Sequence, residues 1–139
     1  MRMKQAALAA IGLVLLAVPA YGTALHPEID LGKFDDQLMR DLDRTIKYFE
    51  PDVTAGNADN AADDAATLQD GLKWLEDYFV NKGPSAQHAV EIARASQLSL
   101  ASAIKSLNAH DLPAAAVSAR EVSQSCRSCH DEYRPEKAR

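Results

Sequence analysis

Both cysteines of this 139-residue chain fall in one pentapeptide close to its C-terminal end, Cys126-Arg127-Ser128-Cys129-His130. That arrangement, C-x-x-C-H, is the pattern by which a haem is held covalently. The spacing has a chemical reason. Each thiol adds across one vinyl group of a porphyrin, and the two vinyls are on adjacent pyrroles, so the sulfurs must lie about one helical turn apart. An imidazole directly after the second cysteine is delivered beneath the iron. Cys126 and Cys129 are therefore the expected anchors, His130 the expected axial ligand, and one haem c the expected cofactor.

Two other chemistries use paired cysteines. A Cys126–Cys129 disulfide suits an exported protein, and thioredoxin-like motifs share the interval, but those come with an α/β pattern that this chain lacks. Zinc needs four ligands, and only His26, His88 and His110 remain to complete the set, scattered over separate segments.

The elements that must position the motif read as helices, with no sustained strand-type alternation. The first, about Pro27 to Phe49, aligns Leu31, Phe34, Leu38, Leu42, Ile46 and Phe49 at steps of three and four, and Pro51 with Thr54-Ala55-Gly56-Asn57 is expected to end it. The second, about Asn60 to Asn81, aligns Ala65, Leu68, Leu72, Leu75 and Phe79, flanked by Trp74 and Tyr78, and Gly83-Pro84 marks its break. The third, about Ser85 to Asn108, turns Ala89, Ile92, Ser96, Leu100, Ala103 and Leu107 inward.

The fourth opens at Asp111 as N-cap, tolerates Pro113 in its first turn and runs to about Tyr133, with Pro135 barring continuation. Its inward set is Ala115, Ala119, Val122, Cys126, Cys129 and Tyr133, so both thiols belong to the buried stripe. The alanines upstream of the cysteines are expected to leave space for a large cofactor. Helices of this length joined by short links predict an all-α, antiparallel four-helix bundle. The Asn108–His110 link is read as the tightest, which makes the third and fourth helices neighbours, and the loop around Asp52 to Asp59 as longer.

Upstream of the bundle lies a secretory leader, residues 1–24. Arg2 and Lys4 precede an uncharged apolar run from Ala6 to Ala20, and Gly22-Thr23-Ala24 supplies the small residues for cleavage, after Gly22 or after Ala24. The run is shorter than the roughly 20 apolar residues that cross a bilayer and contains Pro19, so no stable membrane insertion is expected after cleavage. Export places residues 25–139 in the periplasm as a single domain. Losing two cations takes the formal charge from -5 to -7. An acidic chain argues against nucleic acid and anionic lipid. It would suit a basic redox partner, although net charge alone serves solubility equally well.

The ten residues Ser125-Cys126-Arg127-Ser128-Cys129-His130-Asp131-Glu132-Tyr133-Arg134 are similar to the C-x-x-C-H-x-x-[aromatic]-[basic] ending of the class II c-type cytochromes, the cytochrome c prime family. The resemblance extends over about Leu25 to Arg139, because that family also carries its motif at the end of a four-helix bundle. It implies that His130 is the proximal ligand, that Tyr133 packs on the haem, and that Arg134 lies near the proximal face. A charge favourable to the helix dipole is the alternative role of Arg134.

The resemblance also implies that the first helix supplies the distal face. One branch places an apolar side chain there, leaving a five-coordinate iron that binds small gases such as nitric oxide. The low-spin branch supplies methionine. Met39, within Gln37-Leu38-Met39-Arg40-Asp41, is the only methionine after the leader, and is the expected distal ligand. It falls near the edge of the apolar stripe, roughly 80° from Leu31. The alternative is core filling by Met39, with Leu38 or Leu42 as the distal residue. Such family members often pair as homodimers through their first two helices, where Trp74 and Tyr78 serve either that contact or the core.

Two functions follow as expectations. One is single-electron transfer between periplasmic redox proteins; the other is binding of a small gas ligand. An enzyme is not expected, since beyond His130 no acid, base or nucleophile set surrounds a substrate site.

Overall fold

The computed structural model describes residues 29–134. The leader read at 1–24, His26 and Pro135 lie outside the described residues. Four helices, α1 (Asp36–Ala55), α2 (Ala58–Val80), α3 (Gln87–Asn108) and α4 (Leu112–Tyr133), pack antiparallel in a bundle, with a single 3-10 turn, Pro84–Ala86, before α3. Each helix contacts its neighbours in chain order, and α4 closes the ring against α1. The contact of α4 with α3 is the most extensive and its contact with α1 the least. Among the described residues no helix is long and apolar enough to cross a membrane.

The start of α1 differs from expectation. Ile29 to Phe34 is not helical: the Asp30 carboxylate accepts the Gly32 N–H at 2.8 Å, making a local turn, and the helix begins only where Asp35 caps it, accepting the Leu38 N–H at 2.9 Å. Side-chain oxygens that capture nearby backbone donors stop a helix from extending upstream. The apolar side chains of this segment still reach the bundle. Phe34 meets Trp74 edge-on at 5.4 Å and Tyr78 at 5.0 Å between ring centroids, while Tyr78 and Lys82 both donate to the Gly32 carbonyl. Trp74 and Tyr78, themselves stacked at 5.2 Å, are thus half-buried partners of the chain's own entry segment.

The end of α1 differs as well, since Pro51 lies inside the helix. Its ring forfeits one ladder bond, but Phe49 and Val53 on either side of it are fully buried, and burial of two such side chains is worth roughly 1.5–3 kcal/mol each. The helix stops at Gly56, whose φ of 76° suits glycine, while the Asn57 N–H reaches back to the Asp52 carbonyl at 2.9 Å. The α1–α2 link is consequently shorter than the turn between α3 and α4, and the expected loop from Asp52 to Asp59 is mostly helix.

The stripes of α2, α3 and α4 lie as expected in direction, although Ile92, Cys126, Cys129 and Tyr133 are half-buried rather than buried. Leu68, Leu72, Leu75 and Phe79 are buried, as are Ala89, Ser96, Leu100, Ala103 and Leu107, and the Asp111 side chain caps α4 through the Ala114 N–H at 3.1 Å. The two ends of the bundle differ in texture. Around Ala61, Ala103, Ala115 and Ala119, all 0% exposed, small side chains let the helices close completely. Ala115 and Ala119 are thus fully covered by packed side chains rather than bordering the expected space. The apolar cleft lies from Val122 onward, towards the cysteines.

Candidate metal centre

Val122, Cys126, Cys129 and Tyr133 follow one another on α4 at intervals of four, three and four residues, so they line one face. Val122, Cys126 and Cys129 front a narrow, almost wholly apolar cleft of about 40 Å³. Leu68, Leu72, Leu75 and Phe79 form one wall and Ala89, Ile92 and Ala93 another; α1 contributes Met39, Leu42 and Asp43. Ser96, the buried hydroxyl in this lining, donates to the Ile92 carbonyl at 2.9 Å and so presents no unsatisfied group to the cleft.

His130 and Met39 meet across the mouth. The Nε2 atom of His130 is 3.4 Å from the Met39 sulfur and 4.0 Å from the nearer carboxylate oxygen of Asp43. Met39 and Asp43 are four residues apart on α1, hence one above the other. The methionine expected at the edge of the apolar stripe is therefore aimed at the imidazole, and Leu42 lies within the bundle, 7% exposed.

Both thiols are free, and burial pushes each up to about 11. Asp43 adds to the rise at Cys126, and Arg127 opposes it. The cause is an apolar surrounding that disfavours thiolate. Cysteine pairs that exchange disulfides rely instead on a depressed pKa, so the environment here speaks for neutral thiols held in a hydrophobic wall.

The donors present fit a haem iron. Imidazole with thioether is one of its recognised axial pairs, and the cysteines share the face from which His130 projects. First-row metals bond imidazole nitrogen at about 2.0 Å and sulfur at about 2.3 Å. An ion between His130 and Met39 thus needs them about 1 Å further apart than they stand. The seam that must yield is α1 against α4, the least extensive lateral contact in the bundle.

The remaining sequence candidates sit at the rim. Tyr133 is half-buried, its ring 5.6 Å from that of Phe79, and lines a second opening of the same region together with Met39 and His130. Its hydroxyl is held above the usual tyrosine value, first by burial and then by Glu132. Arg134 is exposed at the end of α4, where its N–H bonds the His130 carbonyl at 3.1 Å. His88 faces away from the cleft, its ring nitrogens 3.2 Å from Glu132 and 3.7 Å from Glu91. His110 is exposed in the α3–α4 turn. Sequence reasoning passed over Asp43: its i, i+4 spacing from Met39 puts the two on one face of α1, but only the packing of α1 against α4 brings that face to His130. No family model, curated protein or solved structure matches this chain.

Proposed function

We propose that this chain is a periplasmic c-type cytochrome that carries single electrons between redox proteins, with one haem bound through thioethers to Cys126 and Cys129 and ligated by His130 and Met39. The observation that carries the reading is the 3.4 Å approach of the Met39 sulfur to His130 Nε2 at the mouth of the cleft that both cysteines line. A soft thioether and an imidazole facing each other suit an iron that stays six-coordinate in both oxidation states.

When bound, the haem supplies a one-electron ferric/ferrous couple. The chain's own part is to hold and insulate it. Cys126 and Cys129 fix its edge to α4, so the cofactor cannot dissociate when its ligands relax. Met39, from α1, favours the ferrous state and raises the potential. Leu68, Leu72, Leu75 and Phe79 keep water from the cleft, which limits solvent rearrangement as charge changes. The ending Tyr133-Arg134 and the four-helix bundle agree with the class II cytochromes, the placement of Met39 agrees with their low-spin branch, and the leader read at 1–24 agrees with export.

The test is the intact mass and optical spectrum of the exported protein. The reading expects an added mass of ~616 Da and a low-spin ferrous spectrum with a sharp alpha band. A high-spin ferrous spectrum that responds readily to carbon monoxide would instead support the five-coordinate, gas-binding function. Absence of the added mass overturns both.

A further inference from the structure

The chain's formal charge is -5, which from a distance attracts cations. The groove between α1 and α4 has the opposite character. It opens beside Cys126 and His130 and follows α1 from Asp43 to beyond Thr54, about 17 Å of helix. Lys47, Arg127 and Arg134 line it, all three exposed, and among the described residues none of these side chains forms a hydrogen bond or ion pair. The groove's two carboxylates are otherwise engaged. Glu50 accepts the Ser123 hydroxyl at 2.8 Å and faces Arg120 at 3.8 Å, and Asp43 is turned towards His130. On other faces Arg44 is paired with Asp41, Lys73 with Asp77 and Arg94 with Glu76, while Arg40 bonds Gln37 and Lys82 the Gly32 carbonyl. Lys33 and Lys105 are the other cations without an ion pair among the described residues, and they stand apart from one another rather than along one groove.

We propose that this groove is the docking surface for an acidic redox protein, steered by Lys47, Arg127 and Arg134. The proposal rests on the reading of the chain as a haem electron carrier, and it reverses the partner charge that bulk composition favours. Within about 8 Å, the screening length at physiological salt, a partner senses the local cations more than the net charge. Cys126 and His130 are themselves part of the groove's lining, so docking there brings the partner close to the proposed iron ligand. The groove's length exceeds what a small anion needs and suits a protein surface.

The experiment follows oxidation of the ferrous, full-length exported protein by hexacyanoferrate(III), a trianion that takes one electron and becomes hexacyanoferrate(II). Ionic strength is varied from about 0.01 M to about 1 M, over which screening shortens from about 30 Å to about 3 Å. Docking at the cationic groove makes the rate fall about tenfold across this range, and the Lys47→Glu/Arg127→Glu variant turns the fall into a rise. Lys47→Glu alone, outside the attachment motif, gives a flattened slope and serves if the double variant loads haem poorly. Amide broadening by redox-inert hexacyanochromate(III) should centre on Lys47, Arg127 and Arg134. A haem-loaded protein whose rate rises with ionic strength, or broadening confined to the faces of Arg44, Lys73 and Arg94, overturns the docking surface and leaves the cytochrome reading intact. A chain without haem overturns both.

Discussion

Met39 and His130, 91 positions apart in the chain, bring sulfur and imidazole nitrogen to 3.4 Å from opposite sides of the α1–α4 seam. Core filling alone does not ask for this, since a thioether packs as well against Leu75 or Phe79 as against a ring nitrogen. Replacing Met39 with Ala removes the soft donor and leaves Leu42 and Asp43 as the nearest α1 side chains. The ferrous spectrum of the variant should become high-spin and bind carbon monoxide, and its potential should drop. If the spectrum matches that of the unaltered protein, Met39 is not a ligand.

Asp43 is the fixed charge nearest to His130, at 4.0 Å, with its side chain 39% exposed. Under the proposed ligation, a carboxylate beside His130 stabilises the more positive ferric state. Asp43→Asn should therefore raise the reduction potential. Screening through the exposed side limits the change to the order of 50 mV. Potentiometric titration of the two proteins in parallel checks it, and an unchanged or lowered potential refutes the effect.

What the sequence made legible was whatever is local or periodic. The attachment motif is five consecutive residues, and the stripes of α2 to α4 repeat every three or four, so both survive being read without coordinates. The errors come from tertiary effects. Pro51 is a strong local breaker, yet the burial of Val53 carries α1 two turns past the expected end near Phe49. Phe34 has helical spacing from Leu38, but its rings of contact are Trp74 and Tyr78, reached from a turn. Alanine content suggests room for a cofactor, whereas Ala115 and Ala119 are fully covered in the packed bundle. The meeting of Met39, Asp43 and His130 depends on which helix closes the ring, and periodicity within one helix does not specify that.

Asp64 on α2 has one carboxylate oxygen buried without a hydrogen-bond partner, and its pKa is raised above 3.8 by burial first and by Asp52 and Asp63 second. A folded-state pKa above the unfolded value means that this residue favours the fold most below pH 3.8 and opposes it once the pH has risen through the elevated value. Asp64→Asn should hence stabilise the protein at pH 7, by less than about 1 kcal/mol, and make no difference near pH 3. Urea midpoints at the two pH values measure this. A variant that is less stable at pH 7 assigns Asp64 a favourable contact instead.

Gly71 on α2 faces Leu42, and a Cβ at this position would overlap the Leu42 Cγ and both Cδ atoms. The absent side chain is what lets α1 lie close to α2 with Leu42 folded under it, at the edge of the cleft. Gly71→Ala gains helix propensity worth up to about 1 kcal/mol. Overpacking typically costs 1–3 kcal/mol, and with Cγ as well as the methyls in collision the overpacking should win. Leu42 lines the cleft beside Met39 and Cys126, and displacing it there crowds them. The variant should thus lose about 1–2 kcal/mol of stability by urea unfolding and shift its optical spectrum as the sixth ligand is disturbed. Shortening the obstacle, in Gly71→Ala/Leu42→Ala, should restore the spectrum even where stability stays low. Failure of that rescue would show that Gly71 acts on α2 alone rather than through Leu42.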